Sequence, residues 1–323
     1  DQQTEALFRN LHKLSEQGKT MFGVANATTI SYNDRLKNSD LENSDVKEIT
    51  GSNPAIIESD FMWYNDPTFM KTDIEAMKLA YKRGAVVAYC WHLRGLNSHN
   101  FYAKDKDGKL GADKDLVKQI VAGGSRESNA SLHWFYSLLD TLVVPVFNEL
   151  AFPVIFRPWH EMNGGWFWWG SETCTPTEYQ TLYRITVDYI RSKGVRNVLY
   201  VWSPDTYTLL EYYPGNEYVD IVGLDIYEPG IEPLKPKAKM VAEIEKLTDF
   251  AAENGKVAAM TETGCRKEGD EFTYPNKYPD FWSNYVLDIL QTNAKTKRMV
   301  WVLAWYSSDW ARNSTSQFYV PYK

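Results

Sequence analysis

Cysteine is scarce in this chain. Three occur in 323 residues, Cys90, Cys174 and Cys265, an odd count with no CxxC spacing. That excludes a disulfide framework or a cysteine zinc centre as the basis of the fold and leaves room for one bridge at most. An excess of positive charge is also missing: 35 Lys and Arg face 42 Asp and Glu, a net charge of -7. Nucleic acid and anionic membranes reward a basic face that is not supplied here, whereas a neutral ligand is indifferent to it. No apolar run reaches the roughly 18 residues of a membrane span, and Asp1-Gln2-Gln3-Thr4-Glu5 lacks the charged-then-apolar pattern of a secretion signal. No GxGxxG or GxxxxGK[ST] follows any apolar run, which removes the main support for nucleotide binding.

Aromatic residues, by contrast, are plentiful. With 12 Trp, 21 Tyr and 14 Phe in a chain that is 44% hydrophobic, there is enough for a large core and a surplus for a cleft. The surplus is densest in Arg157-Pro158-Trp159-His160-Glu161-Met162-Asn163-Gly164-Gly165-Trp166-Phe167-Trp168-Trp169-Gly170. An apolar run, Phe152 to Phe156, leads straight into a histidine, a carboxylate and four tryptophans. Broad aromatic surface beside an ionisable pair suits a flat, neutral, hydroxyl-covered ligand near which protons must move, and sugars fit that description.

Short apolar runs alternate with longer amphipathic patterns along the whole chain. Strands are predicted at Thr20 to Ala25, Ala55 to Ser59, Ala85 to Trp91, Pro153 to Pro158, Asn197 to Trp202, Val219 to Ile226, Lys256 to Thr261 and Arg298 to Trp305. Helices are predicted at Thr68 to Arg83, Ser131 to Leu150, Pro176 to Lys193, Lys237 to Asn254 and Pro279 to Asn293, with a leading helix in 1–18 carrying Leu7, Leu11 and Leu14. Strands too apolar to be half exposed, each followed by a helix, imply parallel pairing with both faces covered. Eight of them imply a single α/β domain over 1–323, a (β/α)₈ TIM barrel, with a doubly wound open sheet as the rival.

Placement of polar residues favours the barrel. His92, His160, Glu161, Asp205, Asp225, Tyr227, Glu262 and Trp305 all fall at or just past strand C-termini, which a barrel gathers into one mouth. Segments Asp60 to Thr72 and Leu93 to Ser128 follow strands two and three. They should form a wall beside His92 that partly closes the cleft, the second of them as a long loop. Within it Asp105, Asp107, Gly108 and Asp113 have part of a calcium-loop composition but neither its spacing nor its bidentate Glu, so a solvated loop is expected. The chain ends soon after the eighth strand, at Tyr319 to Lys323, where a barrel would normally place a last helix. Either such a helix lies outside this sequence or the leading helix takes over part of its packing.

Cleaving a glycosidic bond needs two carboxyl groups at the anomeric carbon, one to protonate the leaving oxygen and one to attack or stabilise the cationic centre. Glu161 after the fourth strand and Glu262 after the seventh stand across a barrel mouth from each other. Glu161, next to His160 and near Trp159 and Trp166, should have a raised pKa and keep its proton; Glu262, between Thr261 and Thr263, should stay anionic. Arg157 can support Glu262 or simply pair with a buried Asp. His92 and His160 can each be core histidines, and the HExxH zinc pattern fails because position 164 is glycine. Tyr227 can cap its strand, Asp205 and Asp225 can be structural acceptors, and Trp168, Trp169 and Trp301 can be core or platform.

These residues together resemble glycoside hydrolase family 26. The resemblance runs over nearly the whole chain: Phe22-Gly23-Val24, Trp91-His92, the long Arg157 to Gly170 motif, Val222-Gly223-Leu224-Asp225-Ile226-Tyr227, Glu262-Thr263-Gly264 and Trp305. It implies a retaining barrel enzyme with Glu161 as acid/base and Glu262 as nucleophile. It further implies that His160 adjoins the acid/base, that Tyr227 hydrogen-bonds the nucleophile, and that Trp166 and Trp305 stack on sugar rings. Most members cleave β-1,4-mannan and a minority act on other β-glucans or xylans. The expected function is therefore a retaining β-mannanase with no metal or organic cofactor, monomeric, whose partner is a polysaccharide or oligosaccharide. The alternatives are the same mechanism on β-1,3-xylan or mixed-linkage glucan, and a non-catalytic glycan-binding barrel. Because polymeric glycans cannot enter a cell intact, export to the periplasm, cell surface or medium is expected, its signal outside this sequence.

Overall fold

The computed structural model describes residues 1–30, 40–206, 210–233, 235–265 and 278–305. Eight parallel strands close in sequential order, with β1 (Met21–Ala25) paired to both β2 (Ile56–Asp60) and β8 (Met299–Ala304). The others are β3 (Val86–Cys90), β4 (Val154–Arg157), β5 (Val198–Trp202), β6 (Ile221–Asp225) and β7 (Val257–Thr263). This closed (β/α)₈ barrel rules out the open-sheet rival. All residues of β2 and of β4 to β8 are buried, the reason their sequences read as near-continuous apolar runs.

Register sets the level at which polar residues emerge. Asp60 pairs with Cys90 and Cys90 with Arg157, so the last residues of β2, β3 and β4 reach one height at the mouth. Between β6 and β7 the register slips at Leu224/Asp225, placing Asp225 beside Glu262. Such an irregularity at a barrel rim re-aims side chains, and here it turns two carboxylates toward the axis.

The helices lie close to the expected spans: Pro67–Lys82, Ala130–Leu150, Pro176–Ser192 and Lys237–Glu253, with Phe281–Leu287 wound as a π-helix before Asp288–Leu290. The pattern of a helix after every strand does not hold throughout. Among the described residues only the short Asp45–Thr50 separates β1 from β2, and no helix joins β5 to β6. Leu116–Val121 is a helix inside the segment expected to be loop, its Leu116, Val117 and Ile120 buried. The connection after β2 is short rather than a wall, because Phe61–Trp63 forms a 3₁₀ turn and the next helix starts at Pro67, whereas the segment after β3 does stand beside His92 through Phe101.

One helix, Ala130–Leu150, passes a length and composition test for crossing a bilayer, although Asp140 and Glu149 interrupt its apolar run. Its apolar side has another use. Phe135, Leu139, Val143 and Phe147, four apart, are fully buried as it crosses from β3 to β4. The leading helix, Gln2–Glu16, starts on the Asp1 cap and packs against β7, β8 and the turn Thr296–Arg298, with Ser15 Oγ donating to the Arg298 carbonyl at 3.0 Å. It thus supplies packing at the seam expected for a last helix, while Tyr319 to Lys323 lie outside the described residues. All three cysteines are buried and free, so the single bridge that their number allowed is not made.

Candidate active site

The segment after β4 is held in a strained conformation. Trp159 and Glu161 both have positive φ, 57° and 54°, a left-handed region that costs side chains with a Cβ of order 1 kcal/mol or more each. Hydrogen bonds from side chains and backbone elsewhere fix the peptides that follow Trp159 and His160. Tyr179 Oη donates to the Trp159 carbonyl at 2.8 Å, Trp169 Nε1 to the His160 carbonyl at 2.8 Å, and the Glu161 amide donates to the Ser203 carbonyl at 2.8 Å. Trp168 Nε1 likewise donates to the Leu93 carbonyl at 2.8 Å. Trp168, Trp169 and Trp301 are therefore core, and the first two act as brackets for the loop rather than platforms for a ligand.

Trp166 is different, 38% exposed, with its indole N–H donating to Glu161 Oε2 at 2.6 Å. Gly164 makes room for it: a Cβ there would lie 2.1 Å from the Trp166 ring. Glu161 itself is buried, and its pKa is pushed up to about 8 by that burial, then by the nearby charges of Glu262 and Asp205. The sequence expectation of a raised pKa holds, but its cause was misplaced. Trp159 is buried against Thr186, its Nε1 donating to Thr186 Oγ1, while the N–H of Trp166 favours the ionised form.

Glu262 sits in a charged setting. Arg157, with no exposed surface, donates through Nη2 to Glu262 Oε1 and to Glu58 Oε1 (2.8 Å), through Nε to Glu58 Oε2 (3.1 Å) and through Nη1 to Asp225 Oδ2 (2.9 Å). Both readings of Arg157 are thus realised at once. Tyr227 Oη donates to Glu262 Oε2 at 2.6 Å, and the backbone sets that approach: Ile226 N bonds the Glu262 carbonyl and Glu228 N that of Gly264, straddling Tyr227. The threonines do not play the expected part. Thr261 Oγ1 donates to Asp225 at 2.6 Å, and Thr263 Oγ1 is buried without a hydrogen-bond partner among the described residues. Glu58, Arg157 and Asp225 project from β2, β4 and β6, so the topmost filling of the barrel interior is ionic where lower levels are apolar. One guanidinium faces three carboxylates there, and burial pushes the pKa values of Glu58 and Asp225 up.

The histidines form a chain rather than isolated core contacts. His92 Nδ1 lies 2.6 Å from Asp60 Oδ2, and its Nε2 is 3.0 Å from Nε2 of His160, itself 3.8 Å from Glu262 Oε1. Burial, then the proximity of His92 and Arg157, holds the pKa of His160 well below its usual value, so His160 is neutral. Asp60 is buried too, yet its contacts with His92 and two backbone amides keep its carboxyl below the ordinary range. Trp305 packs partly buried at the rim, its ring edge-on to His92 at 5.2 Å.

All eight site residues expected from sequence, Arg157, His92, His160, Glu161, Trp166, Tyr227, Glu262 and Trp305, line this one mouth. Glu58 and Asp60 were missed. A signal for Glu58 exists, since a carboxylate after Ile56-Ile57 inside a strand must find a buried cation, and Arg157 is a strand arginine. One carboxylate oxygen each of Glu161, Asp225 and Glu262 lies within 4.8 Å of the others. A raised, proton-holding carboxyl thus faces one clasped by a guanidinium and a phenol, across a gap wide enough for a single reacting carbon.

Comparisons with known proteins identify relatives of this chain. A mannan endo-1,4-β-mannosidase of Bifidobacterium adolescentis is 31% identical over 83% of this chain, which spans 27% of that protein. Endoglucanase H of Acetivibrio thermocellus is 34% identical over 57% of this chain and 18% of its own length. Among solved structures, a β-mannanase of Bacteroides ovatus superposes with a TM-score of 0.79 at 27% identity, covering 99% of this chain and 89% of that one. The chain spans about a quarter of the first of these curated relatives and less than half of two others, from Thermothelomyces thermophilus and Caldalkalibacillus mannanilyticus. The model of glycosyl hydrolase family 26 matches residues 1–306, and the chain belongs to that family.

Proposed function

We propose that this chain is a retaining glycoside hydrolase that cleaves β-1,4-mannosidic bonds, with Glu262 as nucleophile and Glu161 as acid/base. The observation that carries the reading is the approach of the two carboxyl groups to within 4.8 Å at their nearest oxygens. Retaining enzymes hold them about 5 to 5.5 Å apart, whereas inverting enzymes need roughly 6.5 Å or more to admit a water. In the first step Glu262 Oε attacks the anomeric carbon as the bond to the leaving oxygen breaks, and Glu161 gives that oxygen its proton. In the second, water attacks the same carbon, Glu161 takes the water's proton and the ester to Glu262 breaks.

Trp166 directs the proton in this scheme. An indole N–H can only donate, so Glu161 Oε2 accepts from it and the acidic proton of neutral Glu161 resides on Oε1, the oxygen left for the substrate. Arg157 and Tyr227 donate to the two oxygens of Glu262, and Trp305 offers a ring beside His92 on which a sugar can stack. The similarity to Endoglucanase H favours a second reading, the same mechanism on a β-glucan. We further read residues 1–323 as one catalytic unit, monomeric and exported, because the polymer it would act on cannot reach the cell interior.

The test is reducing-sugar release from a panel of mannan, glucomannan, xylan and mixed-linkage glucan, with proton NMR of the first product. Mannan as best substrate and the β-anomer first are expected. Initial α-anomer would sink the nucleophile assignment, and no release from any member of the panel would leave only a binding role.

A further inference from the structure

Asp60 ends β2 at the far end of the histidine chain, and no step of the reaction described above uses it. Its carboxylate is fixed from two sides. Oδ1 accepts from the amides of Met62 (2.9 Å) and His92 (3.1 Å), and Oδ2 lies 2.6 Å from His92 Nδ1. These donors hold the carboxyl below the ordinary range in spite of burial, so Asp60 brings no proton of its own to the contact with His92. The hydrogen between them is therefore on Nδ1.

That choice passes along the chain. His92 Nε2 and His160 Nε2 are 3.0 Å apart, so one of the two nitrogens, and only one, carries a hydrogen. Two arrangements satisfy this condition. In the first, neutral His92 has a bare Nε2, His160 donates to it, and His160 Nδ1 is bare. In the second, His92 is protonated on both nitrogens and donates to His160, whose own hydrogen is then on Nδ1. The side that faces Glu262 decides between them. Glu262 Oε1, which accepts from Arg157 Nη2, lies 3.8 Å from His160 Nε2. A hydrogen on that nitrogen is attracted to the oxygen, whereas a bare lone pair is repelled by it. His160 Nδ1, moreover, is buried with no hydrogen-bond partner among the described residues, and orphaned donors are rarer in protein interiors than unused acceptors. Both points select the first arrangement. Phe167 packs against both rings, its centroid 5.3 Å from that of His92 and 5.2 Å from that of His160, and holds them in place.

We propose that Asp60 is a positioning residue that acts through His92 to fix the tautomer of His160, so that His160 presents an N–H, and not a lone pair, beside the nucleophile. An N–H there favours a charged carboxylate, the form in which a nucleophile attacks in the first step and departs in the second. The inference rests on the reading of Glu262 as nucleophile and adds to it a residue two hydrogen bonds away from His160.

Asp60→Asn is the discriminating change. The two backbone amides keep the side-chain oxygen at the Oδ1 position, so the NH₂ group takes the place of Oδ2 and donates to His92 Nδ1. His92 must then carry its hydrogen on Nε2 and His160 on Nδ1, which reverses every donor in the chain at constant volume. Turnover of mannan should fall about 10- to 100-fold, the range seen when an outer group that orients a working histidine is altered. KM should change less than kcat, and the melting temperature should stay close to the parent's. Proton–nitrogen correlation spectra of isotopically labelled histidine rings, with the His160 signals identified by their loss in His160→Gln, should show its hydrogen on Nε2 in the parent and on Nδ1 in Asp60→Asn. A parent whose His160 is protonated on Nδ1 overturns the proposal, whatever becomes of the variant's fold. Parental turnover in Asp60→Asn overturns it as well, and so does reduced turnover with unchanged tautomers. A parent that cleaves no glycan overturns the proposed function instead, and the ring spectra alone then decide the tautomers.

Discussion

Glu161 and Glu262 approach within 4.8 Å of each other, yet their surroundings are built on opposite principles. Around Glu161 the neighbours are tryptophan rings and strained backbone, and a single N–H reaches its carboxyl group. Around Glu262 a guanidinium and a phenol close in on both oxygens. What separates them is where a buried cation is delivered. Arg157 Nη2 reaches Glu262 and not Glu161, so two chemically identical groups meet different neighbours, and Glu161 is the one whose pKa is pushed up to about 8.

Exchanging the roles of the two groups should be impossible, and the largest effect tests that directly. Glu262→Ala is expected to lower turnover by of order 10⁴- to 10⁶-fold on polysaccharide and activated aryl glycoside alike, as loss of a nucleophile does. Glu161→Ala should cost about 10²- to 10⁴-fold on polysaccharide and far less on an aryl glycoside whose leaving group needs no proton. Steady-state kinetics on both substrates checks the contrast. Equal losses for Glu161→Ala would falsify its assignment as the acid.

The cation itself comes next. Arg157→Met should destabilise the fold by about 3 to 5 kcal/mol, since it removes the buried cation that Glu58, Asp225 and Glu262 share. Chemical denaturation at pH 7 measures this, and the loss should shrink toward acid pH as Glu58 and Asp225, whose pKa values burial raises, take up protons.

Protonation of Glu161 should also show in stability. Its folded pKa of about 8 lies above the unfolded value near 4.5, so the folded state holds a proton that the unfolded state has released between those pH values. Its contribution is whole below about pH 4.5 and is lost as pH rises toward 8. Glu161→Gln removes that dependence, and should match the parent in melting temperature near pH 4 while exceeding it near pH 8.5. A constant gap between the two across that range would show that Glu161 is ionised throughout.

Smaller effects distinguish Trp166 from Trp305. Trp166→Phe keeps a ring but loses the donor to Glu161, so the alkaline limb of the rate profile, set near pH 8, should move upward. Trp305→Ala should remove of order 1 kcal/mol of substrate or transition-state binding with little change in melting temperature. Unchanged kinetics with a lowered melting temperature would return Trp305 to the core.

How much of this was legible depended on distance along the chain. Strands two to eight announce themselves by apolar composition, and His160-Glu161 and Glu262 by standing where those runs stop. The function of Trp169 could not be read, because its indole serves the carbonyl of His160 through a turn whose shape depends on Tyr179 from the following helix. Thr261 and Thr263 misled for the same reason: in a strand, neighbours in sequence point to opposite faces, so the partners of Glu262 had to come from β4 and the end of β6. The Leu93 to Ser128 segment looked polar enough for a loop, but one turn of Leu116, Val117 and Ile120 was enough to anchor a helix.

The ionic layer of Glu58, Arg157 and Asp225 has a consequence for the medium. Dissolved ions screen charges over about 8 Å at physiological strength, but only where water carries them between the partners. Arg157 is wholly enclosed by protein, and a neutral glycan is not drawn in by long-range fields. Added salt therefore has nothing to weaken either in the encounter or in the clasp on Glu262. This site should keep its protonation pattern from dilute buffer to brine, a tolerance that follows from where its charges are enclosed rather than from any adaptation of its acidic exterior.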